Sequence, residues 1–107
     1  MTELFTGDCA SEFTAPELAQ ILDRAIGSTV RRLREMRDIS QSELARRADL
    51  HADFVNRVER GGAQLGTLAL ARIFLALGYT ATDVLCELAT HIPLHCQLAR
   101  NAKQASA

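Results

Sequence analysis

Residues 40–60, SQSELARRADLHADFVNRVER, constrain the fold more than any other stretch of this chain. Ser40 and Glu43 stand at the S-x-x-E spacing of a capping box, which predicts a helix starting at Gln41. Leu44, Ala45 and Ala48 form its apolar face, and Arg46 and Arg47 point elsewhere. Asp49 falls where the chain must turn, and Asp tolerates the left-handed conformation better than most residues. Leu50 follows as a buried plug. A second helix is expected from about Ala52 to Arg60, with Val55 and Val58 inward and Asp53, Asn56, Arg57 and Arg60 outward. A small residue at Ala45 allows the two helices to cross closely.

The rest of the chain reads as helices around this pair. Thr14 is placed to cap a helix carrying Pro16 and Glu17 in its first turn. Leu18, Ile21, Leu22, Ala25 and Ile26 then recur at helical spacing. Gly27 either separates this helix from the next or lies inside one long helix, and the expectation adopted is an extra N-terminal helix. Residues 65–77 are apolar almost all round, as in a helix buried on most sides, with Gly78 as its left-handed stop. Thr80 caps the next helix, Pro93 is expected to end or redirect it, and residues 94–103 form a short last helix.

This order resembles the helix-turn-helix domain of the phage-repressor/Cro family of DNA-binding proteins. Residues 26–34 (IGSTVRRLR) look like its opening helix, Ile39-Ser40-Gln41 like the start of its second, and residues 57–61 (RVERG) like the end of its third. Residues 68–78 (LALARIFLALG) look like its fourth helix and residues 80–88 its fifth. The chain departs from the family at Asp49, where Gly is usual, and in the link 61–66, which is short and lacks the usual Pro. The resemblance implies an all-α, five-helix repressor-like domain over residues 26–89. Residues 1–25 would be an acidic arm and helix, and residues 90–107 a C-terminal extension available for dimerisation.

Charge is consistent with a DNA face. The net charge is −1, but residues 1–23 hold five acids and no Lys or Arg, whereas residues 24–60 hold nine arginines against six acids. Positive charge is thus gathered on the helix-turn-helix half, where phosphate contacts would be made. The resemblance implies that Gln41 bonds a backbone phosphate at a helix start. Ser42, Arg34, Arg37, Arg46 and Arg47 are further phosphate candidates. His51, Ala52, Asp53, Asn56, Arg57 and Arg60 are the candidates for facing bases. Arg57 can be bidentate to guanine, Asn56 can serve adenine or a phosphate, and Ala52 can touch a thymine methyl. Asp53 can accept from cytosine or orient Arg57 four residues on. Arg60 can alternatively be held by Glu59 or Asn56.

The expected function is a transcriptional regulator, in its simplest form a repressor, acting as a homodimer on double-stranded DNA. The alternative is an antitoxin or adaptor that grips a protein partner through the acidic N-terminal helix. No Gly-rich phosphate loop, nucleophile elbow or paired carboxylate motif suggests an enzyme, and no cofactor is expected. Cys86, His91, His95 and Cys96 lie close in sequence, yet their spacing matches no zinc pattern, so no metal is expected. Three cysteines without a disulfide framework, no membrane-spanning run and no signal-peptide pattern suggest the cytoplasm.

Overall fold

The computed structural model describes residues 12–106, and these residues are helical with no strand. Five helices follow in order: α1 (Ala15–Met36), α2 (Gln41–Ala48), α3 (Ala52–Glu59), α4 (Thr67–Ala76) and α5 (Ala81–Ser106). The main core gathers Val30 and Leu33 of α1, Leu44, Ala45 and Ala48 of α2, and Val55 and Val58 of α3. Ile73, Phe74, Leu77 and Val84 close it from α4 and α5. Every inward residue expected for α2 and α3 is therefore buried.

Helix starts follow their sequence signals unevenly. Thr14 and Glu17 form a complete, reciprocal capping box on α1. At α2 only half of the expected box exists. The Ser40 hydroxyl accepts from the Glu43 N–H at 3.0 Å, but the Glu43 carboxylate turns to Arg46 and Arg47 instead. Thr80 and Asp83 cap the start of α5 reciprocally.

The helix ends share one device. After α1, α2, α3 and α4 the chain passes through a left-handed residue: Asp38, Asp49, Gly61 and Gly78 respectively. At each, the next residue's N–H reaches back to a carbonyl in the last turn: Ile39 to Arg34, Leu50 to Ala45, Gly62 to Arg57 and Tyr79 to Phe74. This is the Schellman arrangement, and it satisfies carbonyls that a helix end would otherwise leave open. Asp49 is left-handed, with φ 58° and ψ 49°, as a glycine at this corner would be free to be. The departure from Gly at this corner is accommodated by the same backbone.

Three expectations are corrected. Gly27 does not divide two helices: α1 runs unbroken for 22 residues. Gly27 is buried where α1 crosses the end of α3, and a Cβ there would lie 2.1 Å from the Val58 carbonyl oxygen. Glycine is required by this approach, which outweighs its poor helix propensity. Pro93 does not end α5, which continues for 26 residues through it. Pro93 has no N–H for the carbonyl four residues earlier, but tertiary packing on its flanks holds the helix. Ile92, Cys96 and Ala99 pack with Phe13, Leu18 and Ile21 into a second apolar cluster that joins both ends of the described chain. Finally, α4 is not buried on most sides. Ile73 and Phe74 are buried, while Leu68 is 65% exposed and Leu75 71%.

Ion pairs reinforce the second cluster. Arg100 Nε donates to Glu12 at 2.8 Å, and Lys103 Nζ lies 3.0 Å from Glu17. Two described acids of the N-terminal segment, Glu12 and Glu17, are thus paired with the chain's own basic C-terminal turn. Glu3 and Asp8 lie outside the described residues. Cys86 is free, but Cys96 is disulfide-bonded, contrary to the expectation of unbridged cysteines.

Two stability outcomes follow from the backbone. Gly27→Ala forces α1 from α3 and should cost about 1–3 kcal/mol, as overpacking does, read as a lower urea midpoint. Asp49→Gly relieves a left-handed non-glycine residue and should add about 0.5–1 kcal/mol of stability, read as a higher urea midpoint; a fall would show that the Asp49 side chain itself stabilises the corner.

Candidate nucleic-acid interface

The geometry of α2 and α3 depends on a buried polar cluster. Glu59, in the last turn of α3, has a side chain only 3% exposed. The Arg34 guanidinium of α1 meets it as a fork, Nε to Oε2 at 2.7 Å and Nη2 to Oε1 at 3.0 Å. Arg34 Nη1 also donates to the Ile39 carbonyl at 2.8 Å, tying down the turn before α2. Gln41, the first residue of α2, donates from Nε2 to Glu59 Oε1 at 3.0 Å. Its Oε1 accepts from Asn56 Nδ2 at 3.2 Å. Bidentate, charge-assisted bonds of this kind fix orientation as well as energy. Three helices are thereby held to one carboxylate, which also keeps the Arg34 guanidinium above its ordinary pKa.

Arg34 is accordingly withdrawn from the phosphate-contact set: its side chain is 13% exposed and bonded to the interior. Glu59 is the residue that the sequence reading missed as an organising group. A carboxylate three residues after Asn56 and one after the buried Val58 is the only signal that pointed to it.

The remaining candidates are distributed along α3 and around it. His51 is the N-cap of α3 and makes no side-chain capping bond. No side chain therefore caps the first turn of α3, where the Phe54 N–H donates to the His51 carbonyl at 3.0 Å. His51, Asp53, Arg57 and Arg60 are exposed on one element, with Ala52 and Asn56 half-buried beside them. The Arg57 guanidinium lies over the Phe54 ring, 5.6 Å from its centroid. No ion pair joins it to Asp53 among the described residues, so the orienting partner is the aromatic ring. The Arg60 guanidinium is held by neither the Glu59 carboxylate, which is occupied by Arg34 and Gln41, nor the Asn56 side chain, which serves Gln41.

Of the phosphate candidates, Gln41 and exposed Ser42 open α2. Arg46 and Arg47 both pair with Glu43 on the surface. Their two guanidinium groups hold the Glu43 carboxyl at a pKa of about 2, with the Arg46 hydrogen bond the largest cause. Arg37 follows α1 and stacks over Tyr79, 5.3 Å from the ring centroid, at the corner between α4 and α5. The structure therefore brings Gln41, Asn56 and the outer face of α3 together, leaves Arg46 and Arg47 on a neighbouring exposed pair, and places Arg37 at a separate corner. Among the described residues no group of three or more His, Cys, Asp or Glu could hold a metal ion. Nor is any single helix among the described residues long and apolar enough to cross a membrane.

Known proteins are similar to this chain. The sequence model described as Helix-turn-helix matches residues 30–84. Two solved structures of the clp gene regulator ClgR from Corynebacterium glutamicum are similar to the chain. One superposes with a TM-score of 0.67 at 28% identity, covering 77% of this chain and 87% of that one. The other gives 0.62 at 30% identity, covering 66% and 91%. No curated protein sequence matches the chain significantly.

Glu59→Ala should cost about 2–4 kcal/mol in urea unfolding, because it leaves Arg34 largely buried without its partner. An effect as small as that of an ordinary surface change would show that the pair is not retained in solution. Glu43 supplies a pH outcome. Its folded pKa is depressed, so its contribution is present above the usual value of 4.5 and is lost as pH falls through about 2. Carboxyl NMR should place its midpoint near the lower figure at low salt. A midpoint near 4.5 would mean that Arg46 and Arg47 do not hold it.

Proposed function

Because the chain belongs to the helix-turn-helix family of the Cro/C1 type and is a DNA-binding transcriptional regulator, we propose that it binds a short inverted-repeat operator as a homodimer and represses the adjacent gene. The observation that carries this reading is the outer face of α3, where Asp53, Arg57 and Arg60 are exposed while Asn56 is braced through Gln41 to Glu59. A helix so fixed enters the major groove in one register, and its free polar groups can then discriminate between bases. Arg57 reads guanine, Asn56 reads adenine or steadies the Gln41 phosphate contact, and Ala52 meets a thymine methyl. Gln41 and Ser42 hold phosphates at the start of α2. Arg46 and Arg47 join them by exchanging Glu43 for phosphate, and Arg37 is a more distant candidate.

One such domain spans few base pairs, and two-fold pairing places two recognition helices about 34–36 Å apart, one DNA turn. An apolar groove of about 400 Å³ between α4 and the start of α5 supports pairing there. It lies between exposed Leu75 and Leu85, with Phe74, Tyr79 and Val84 at its base. The segment beyond Pro93 packs one face on α1, and the exposed Leu94 and Leu98 are its only large apolar contribution to such a surface.

Selection from a random duplex pool at physiological salt should recover an inverted repeat with half-sites one turn apart. Recovery of no enriched sequence would overturn the operator reading. Arg57→Ala should lose about 1–3 kcal/mol on the recovered site and relax one base position, whereas Gln41→Ala should weaken specific and random DNA alike. Leu85→Glu should give a monomer in sedimentation and weaker operator binding. An unchanged dimer would move the interface elsewhere.

A further inference from the structure

We propose that the cleft between the N-terminal half of α1, the end of α3 and the C-terminal half of α5 binds a small organic carboxylate with an apolar body. The cleft has a volume of about 520 Å³, within the range of small-molecule sites. Phe13, Ile21 and Ala99 supply apolar lining, and Arg24 and Arg60 supply positive charge from α1 and from the cap of α3.

The charge balance inside the cleft is uneven. Its two carboxylates are already engaged: Glu17 by Lys103 at 3.0 Å, and Glu59 by Arg34 and Gln41. The guanidinium groups of Arg24 and Arg60 form no hydrogen bond or ion pair with a described residue. His95 lines the same cleft with its Nε2 buried and unpartnered. Burial first, and then the positive field of His91 and Arg24, hold its pKa below the ordinary value. Two unpaired guanidinium groups above an apolar wall suit an anion that carries hydrocarbon. A carboxylate matches the planar guanidinium fork, and its hydrocarbon covers the wall of Phe13, Ile21 and Ala99, which phosphate would leave uncovered.

The cleft also communicates with α3. A Cβ on Gly61 would lie 2.8 Å from Arg24 Cγ, so the stem of Arg24 rests directly on the turn that follows Arg60. A carboxylate bridging the two guanidinium groups holds Arg60 inside the cleft and away from DNA. This coupling, unlike the site itself, rests on the reading of Arg60 as a DNA-facing residue.

The test uses the free 107-residue chain and hexanoate as the probe, with hexanamide and inorganic phosphate as controls. Arginine Nε–H and His95 NMR signals should shift saturably with hexanoate, at a dissociation constant of about 1 mM or tighter. Arg24→Gln and Arg60→Gln should each weaken binding about tenfold, the scale of one charge-assisted bond, with amide spectra showing an unchanged fold. No saturation by about 20 mM, far above the expected constant, would overturn the site. So would an equal response to hexanamide or tighter saturation by phosphate. Hexanoate should also weaken operator binding by the wild type and leave Arg24→Gln unaffected. Binding without that change would overturn the coupling. Failure to bind any duplex would instead be a failure of the proposed function, visible separately because the ligand titration contains no DNA.

Discussion

The Glu59 carboxylate is the point on which the arrangement of the first three helices depends. A nearly buried carboxylate is costly unless every lone pair is met. Here Arg34 and Gln41 meet it from two different helices. The consequence is geometric more than energetic. Replacing such a pair with apolar residues is often neutral for stability, but apolar residues would leave the rotation of α3 about its own axis less sharply defined. The chain of bonds from Arg34 through Glu59 and Gln41 to Asn56 fixes that rotation, and so fixes which side chains of α3 face outward.

Close packing completes what the polar cluster starts. Gly27 lets α1 approach the Val58 carbonyl, and Ala45 and Ala48 let α2 lie against α3. The Schellman ends of four successive helices then redirect the chain within a few residues each. This economy of turns explains how a short link between α3 and α4 suffices without the Pro usual in the family. The second apolar cluster around Phe13, Ile21 and Cys96 adds a rigid extension built from both ends of the described chain. It also creates the wall of the cleft into which Arg24 and Arg60 project.

Much of the fold was legible because it rests on local rules. Apolar spacing located α2, α3 and their buried residues, and Thr14, Ser40 and Thr80 marked three helix starts. Local rules failed where a long-range contact overrode them. Gly27 reads as a breaker until the neighbouring carbonyl is known. Pro93 reads as a stop until Ile92, Cys96 and Ala99 are seen to pack on α1. The uniform apolarity of α4 suggested burial on most sides, but Leu68 and Leu75 are left exposed by the packing of the described helices. For the site, sequence position placed Asp53, Arg57 and Arg60 on the outer face, because helical period alone assigns them to it. Arg34 could not be sorted from the other arginines, since its direction depends on a partner twenty-five residues away.

The sequence by itself determined an all-helical chain with a helix-turn-helix at residues 40–60, a basic half and the outward set of α3, because periodicity and capping act within a few residues. Only the tertiary structure decided which charges are free. Arginines are interchangeable in a sequence, yet Arg34 is bound to Glu59, Arg46 and Arg47 to Glu43, and Arg57 rests on Phe54. Arg24 and Arg60 share a cleft without a carboxylate of their own. The physical reason is that a guanidinium's role follows from the nearest acid in space, and that distance is set by packing between helices.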